Sequence, residues 1–83
     1  MTQNPTLIQF GLRVRELRIS KGMTQLELAD KFQSAEATIS RLEKGRLNPS
    51  LLWLIKLAKA LEVEFSDLIT DDIVSITNLD SPI

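Results

Sequence analysis

The sequence has no cysteine and no histidine, and only three glycines and three prolines. Without cysteine there are no disulfides and no thiolate metal sites. Without histidine, the commonest general base and the commonest metal ligand are both missing. There is no Gly-rich phosphate loop, and the carboxylates are dispersed along the chain instead of paired. An enzyme is therefore not expected, and neither is a metal or other cofactor. No apolar run approaches the ~18 residues that a membrane span needs. Residues 1–5 are polar and lack the basic-then-apolar order of a secretory signal. A cytoplasmic protein without membrane contacts is expected. No repeat or low-complexity tract is present.

Eighty-three residues suit one domain. Hydrophobic residues make up 43% and charged residues 25%, which is ordinary for a globular chain. So small a domain buries only roughly 60% of its unfolded surface and is marginal alone. A helical core, a partner subunit or both are favoured. The net charge of −1 hides a split. Residues 1–59 carry all ten Lys/Arg against five acids, a net of +5. Residues 60–83 carry six acids and no base, a net of −6. Such asymmetry is a hint of nucleic-acid contact with an acidic end held away from phosphate.

The hydrophobic period is helical nearly throughout. Residues 7–21 place Phe10, Val14 and Leu17 on one face, and Lys21-Gly22 is a natural ending. Thr24, with Glu27 three residues on, is a capping box that opens a second short helix. Residues 36–44 form a third, with Ile39 and Leu42 inward and Gly45 closing it. Ser50 caps a fourth over residues 51–61, with Leu51, Leu54, Ile55, Ala58 and Leu61 expected inward. Residues 65–69 suit one last turn. Beyond Thr70 the pattern weakens, and Ile73, Val74 and Ile76 fit a strand, a helix extension or neither. The fold class is all-α: a compact bundle of four to five short helices over residues 1–69, with a C-terminal tail at 70–83.

Two short helices joined by a tight turn form the centre, and here the residues resemble a known family. The run Phe10-Gly11-Leu12-Arg13-Val14-Arg15-Glu16-Leu17-Arg18, then Gly22-Met23-Thr24-Gln25 and Leu28-Ala29, is similar to the phage-repressor and Cro-type (XRE-like) helix-turn-helix domain. So are Thr38-Ile39-Ser40-Arg41-Leu42-Glu43-Lys44-Gly45, Asn48-Pro49-Ser50 and Leu57-Ala58-Lys59-Ala60-Leu61. The resemblance covers residues 8–69 in order and spacing. It implies a transcriptional regulator that binds double-stranded DNA, with residues 36–44 as the recognition helix.

The residue types agree with that implication. Glu36, Ala37, Thr38, Ser40 and Arg41 are expected at base edges. Short side chains at 37, 38 and 40 let the helix backbone come close, and Arg41 can grip a guanine through O6 and N7. The alternatives for Arg41 are a phosphate clamp or a solvated surface arginine. Glu36 either accepts from cytosine N4 or only stabilises the helix dipole in the first turn. The family tends to place Ser or Thr where this chain has Ala35, so Ser34 caps one residue earlier or the cap is absent. The resemblance places a DNA phosphate on Gln25. Ser34, Lys44, Arg46 and Asn48 are further phosphate partners, each with a plain surface role as its alternative. It also implies that Arg18 and Glu43 pair across the first and third helices, a structural role.

Some apolar residues exceed what one small core needs. Leu52 and Trp53 stand where the family is usually polar, and Ile8, Leu12 and Ile19 form a second stripe on the first helix. With Ile69, Ile73, Val74, Ile76, Leu79 and Ile83, they suggest a tail folded back over helices one and four, a homodimer interface, or both. A homodimer is expected, because one small module seldom reads DNA strongly and two half-sites read it better. The acidic residues Glu62, Glu64 and Asp67 either are solvated or touch a basic surface of RNA polymerase. A small-molecule effector is not expected. The alternative function is an antitoxin-type regulator whose acidic, apolar tail engages a partner protein.

Overall fold

In the computed structural model, which describes residues 4–76, six helices follow one another: α1 (Pro5–Ser20), α2 (Gln25–Phe32), α3 (Glu36–Glu43), α4 (Leu51–Leu61), α5 (Phe65–Leu68) and α6 (Asp71–Ile76). There is no strand among the described residues. The expected tail residues Leu79 and Ile83 lie outside them.

Local chemistry accounts for the helix boundaries. Asn4 starts α1 earlier than residue 7, the expected start. Its side chain accepts from the N–H of Thr6 at 2.8 Å and of Leu7 at 3.3 Å, with Pro5 in the first turn. Proline suits that position, where its missing N–H costs nothing. Thr24 and Glu27 form the capping box of α2, at 3.0 and 2.9 Å. The Glu27 carboxyl is held below the ordinary carboxylate range, first by the Thr24 backbone N–H and then by its hydroxyl. Ser50 accepts from the N–H of Trp53 at 3.2 Å and opens α4.

The four long helices end alike. After α1, α2, α3 and α4 a left-handed residue closes the last turn, at Gly22 (φ 71°), Gln33 (φ 57°), Gly45 (φ 74°) and Glu62 (φ 58°). The next N–H then reaches back to the helix, as in Ser34 to Ala29 at 2.8 Å and Arg46 to Arg41 at 2.9 Å. This is the Schellman arrangement. Glycine takes the left-handed conformation freely, whereas a side chain there costs roughly 1–2 kcal/mol. Gln33→Gly should therefore raise stability by about 0.5–1 kcal/mol after the extra chain entropy of glycine is counted. Thermal melting tests this, and a lower melting temperature would refute it.

One core holds all six helices. Phe10 and Val14 come from α1, Leu28, Ala29 and Phe32 from α2, and Ile39 and Leu42 from α3. Leu57, Ala58 and Leu61 come from α4, Leu68 from α5 and Ile73 from α6. Each fully buried Leu or Ile among them is worth about 1.5–3 kcal/mol over its exposed state. Two elements differ from the expected pattern. On α4, Leu51 and Ile55 are 63% and 38% exposed, while Leu57 is fully buried. That helix is apolar almost all round, so its pattern does not fix which side faces inward. Beyond Thr70 the chain forms a separate short helix, packed on α1 through Ile73. Asp71 and Asp72 lie in its first turn, where the helix dipole favours carboxylates.

Lysines tie the far end of the bundle. Lys31 pairs with Glu62 at 3.1 Å, and Lys21 donates to the Glu62 carbonyl at 3.3 Å. The Glu62 carboxyl is lowered chiefly by the Lys31 bond. Asp67 accepts from the backbone N–H of Glu64 at 2.9 Å. The Glu62 and Asp67 carboxylates, considered for polymerase contact, thus make bonds within the fold.

Candidate nucleic-acid interface

The α2–turn–α3 unit is set by its buried faces. Leu28 and Ala29 of α2 and Ile39 and Leu42 of α3 are fully buried, so both helices are fixed in rotation about their axes. The turn is Gln33-Ser34-Ala35, and the backbone N–H of Ser34 is spent on closing α2. α3 therefore starts at Glu36 with Ala35 as its cap residue, and no side chain caps it. Relative to Ser or Thr at that place, the missing bond costs about 1 kcal/mol.

Fixing Ile39 and Leu42 inward leaves the opposite side of α3 in solvent. Glu36, Ala37 and Arg41 are exposed, with Thr38 and Ser40 half-buried at the flanks. Lys44, Arg46 and Asn48 continue the exposed surface into the following loop, and Ser34 is half-buried in the turn. Arg41, Lys44 and Arg46 have no carboxylate partner among the described residues. Three unpaired cations gathered at one end of one helix make a positive surface where the sequence placed it.

Beneath this surface lies a buried polar cluster. Arg18 donates from Nε to Glu43 Oε2 at 2.6 Å and from Nη2 to Oε1 at 3.0 Å. Its Nη1 donates to the Met23 carbonyl at 2.7 Å. The side chains are only 10% and 3% exposed, so the fork is shielded from water. The bond to Glu43 raises the Arg18 pKa above its already high ordinary value. Gln25, the first residue of α2, joins from the side, with Nε2 donating to Glu43 Oε1 at 3.0 Å. The pattern of the sequence did not show this third bond. The capping box uses the Glu27 N–H, which leaves the backbone N–H groups of Gln25 and Leu26 without a partner among the described residues.

The expected dimer or tail residues separate. Ile73 is in the core, and Trp53 is half-buried with its ring edge-on to Phe32 at 4.5 Å. Leu52, Val74 and Ile76 are exposed, at 74%, 57% and 38%.

This geometry is matched by known proteins. The helix-turn-helix family HTH_3 matches residues 14–68. The chain belongs to that family. Its members are transcriptional regulators, not enzymes. An uncharacterized HTH-type transcriptional regulator of Archaeoglobus fulgidus is 45% identical over 60 residues, covering 72% of this chain and 86% of its own. Control protein C.BamHI of Bacillus amyloliquefaciens is 40% identical over 79 residues, covering 94% of both chains. The crystal structure of the restriction-modification controller protein C.AhdI from Aeromonas hydrophila superposes with a TM-score of 0.72 and 40% identity, over 75% of this chain and 94% of that one. This helix-turn-helix regulator is thus of the XRE type shared by controller proteins and phage repressors. No described helix is long and apolar enough to cross a membrane.

Proposed function

We propose that this regulator binds a pseudo-palindromic operator as a homodimer, with α3 of each protomer in the major groove. The observation that carries the reading is the outward face of α3, where Arg41, Lys44 and Arg46 are exposed and unpaired above a rigidly packed inner face. Arg41 reads a guanine. Ala37, Thr38 and Ser40 allow close approach, and Glu36 meets the same stretch of groove or supports the helix start. Gln25, Ser34, Lys44, Arg46 and Asn48 hold phosphates on either side. Each cation that neutralises a phosphate adds about 0.9 to the slope of log affinity against log salt.

Exposed apolar residues on α4 and α6 supply the dimer contact, with Leu52 the most open. Residues 70–83 contribute to it beyond the DNA-binding body of residues 1–69. The match to control protein C.BamHI over nearly the whole of both chains, with that to the restriction-modification controller C.AhdI, favours a controller of restriction–modification genes. The dimer would act at a promoter by blocking or recruiting RNA polymerase, and protein concentration would set its occupancy through the coupled dimer and DNA equilibria.

Selection of bound duplexes from a random pool tests the reading. A two-fold symmetric site should emerge with half-sites about one helical turn apart. Arg41→Ala should relax preference at one position per half-site, by about 5- to 150-fold. Gln25→Ala should weaken all sequences alike. A uniform loss from Arg41→Ala would remove it from base reading. A light-scattering mass of one chain, unchanged on adding operator, would refute the dimer.

A further inference from the structure

We infer that Glu43 is a positioning residue for the DNA-phosphate contact of Gln25: it fixes the rotation of the Gln25 amide and so the direction of its second N–H. This rests on the reading that α2 begins at a DNA phosphate. The bond from Gln25 Nε2 to Glu43 Oε1, at 3.0 Å, links the end of α3 to the start of α2.

An unrestrained glutamine amide flips freely and offers either a carbonyl or an NH2 group. Only the NH2 end is useful at a phosphate, since phosphate oxygens accept and a carbonyl would repel them. A carboxylate also only accepts. Glu43 therefore fixes the Gln25 amide by its nitrogen and excludes the flipped form, whose carbonyl would face the carboxylate. The NH2 group has two hydrogens, and one bond to Glu43 leaves the second for a phosphate. The free backbone N–H groups of Gln25 and Leu26 stand beside it at the helix start, where the dipole favours an anion.

For this to work Glu43 must not turn and must not repel the phosphate. Arg18 secures both conditions. Its fork engages both carboxylate oxygens, at 2.6 and 3.0 Å, and neutralises the charge. Its third bond, to the Met23 carbonyl at 2.7 Å, fixes the guanidinium to the segment leading into α2. With Glu43 only 3% exposed, water does not compete for its oxygens. The chain of bonds Met23–Arg18–Glu43–Gln25 thus sets a phosphate donor from the interior, and registers it against the helix that reads bases.

A double-mutant cycle read in DNA affinity tests this, at a temperature where every variant is folded by circular dichroism. Glu43→Gln keeps the shape but can present either a donor or an acceptor to Gln25. The probe is a random-sequence duplex at low salt, followed by the duplex selected from the pool. Gln25→Ala should lose about tenfold or more in the native background, as for a hydrogen bond to a charged group. In the Glu43→Gln background the same change should lose less than about twofold. An equal loss in both backgrounds would show a structural role only and overturn the inference. If the unmutated protein binds neither duplex, the DNA reading itself fails, and the inference with it. Nuclear magnetic resonance of the unmutated protein supplies a readout that needs no mutant. The two Gln25 side-chain N–H signals should differ in solvent exchange, and one should shift on adding duplex. Two N–H signals exchanging equally fast would overturn the inference.

Discussion

Gly11→Ala should cost the domain about 2–3 kcal/mol or more and leave little folded protein near 50 °C. The usual rule points the other way. Alanine is about 1 kcal/mol better than glycine inside a helix, and Gly11 lies in the middle of α1. Here α1 crosses the end of α3 so closely that a Cβ on residue 11 would lie 2.5 Å from the Leu42 carbonyl oxygen. It would also lie 2.6 Å from the Glu43 oxygen and 2.8 Å from the Glu43 carbonyl carbon. These are backbone atoms at the end of a helix, so no side chain can swing aside. Relief requires α1 to move away from α3 along its length. Gly45 makes the same crossing tight from the other side, since a Cβ there would come 2.7 Å from the Ile8 Cα. A domain of this length has a total stability of only about 4–12 kcal/mol. Each kcal/mol lost lowers its melting temperature by about 4–8 °C. Circular dichroism melts give the answer, and a melting temperature equal to or above the native value would sink the argument.

Gly11 also marks where reading the sequence succeeds and where it stops. The capping box at Thr24 and Glu27 and the Ser50 cap were legible because their partners lie three residues apart on the chain. The inward face of α3 was legible because its large apolar residues, Ile39 and Leu42, lie on one side only. α4 was not, because Leu51 through Leu57 offers an apolar residue to nearly every direction, and its neighbours decide which side is buried. Pro5 starts α1, although the apolar period begins only at Leu7. Nothing in the residue type of Gln33 marked its left-handed backbone. The recognition face was legible as a cluster of residue types, while the pairing of Arg18 with Glu43 was implied by family resemblance alone. Nothing in the spacing linked Gln25 to Glu43, eighteen residues apart on different helices. A lone glycine inside a helical pattern was the one available sign of the α1–α3 crossing.

The second large effect concerns that crossing from its polar side. Glu43→Ala should cost about 3–5 kcal/mol, because it leaves a buried guanidinium without its counter-charge. A buried lysine could escape by losing its proton, but an arginine cannot. Arg18 stays ionised in the folded protein, with its pKa raised above an already high ordinary value by the Glu43 bond. A raised folded pKa gives stability that is complete below the unfolded value and is lost only as pH rises through the folded one. For an arginine that window lies above any working pH, so the Arg18 side of the pair gives no relief on mild titration. Removing Glu43 therefore strands a permanent charge that is only 10% exposed, and also takes away the acceptor of Gln25. A melting temperature lower by about 12 °C or more is expected, and an unchanged value would refute the account. The double variant Arg18→Met, Glu43→Leu separates the causes. If the loss comes from the stranded charge, replacing both partners with apolar side chains should recover much of it. If the fork itself supplies the stability, the double variant should melt no higher than Glu43→Ala alone. Recovery of the fold should not bring back the Gln25 contact with DNA, since neither apolar side chain can hold its amide.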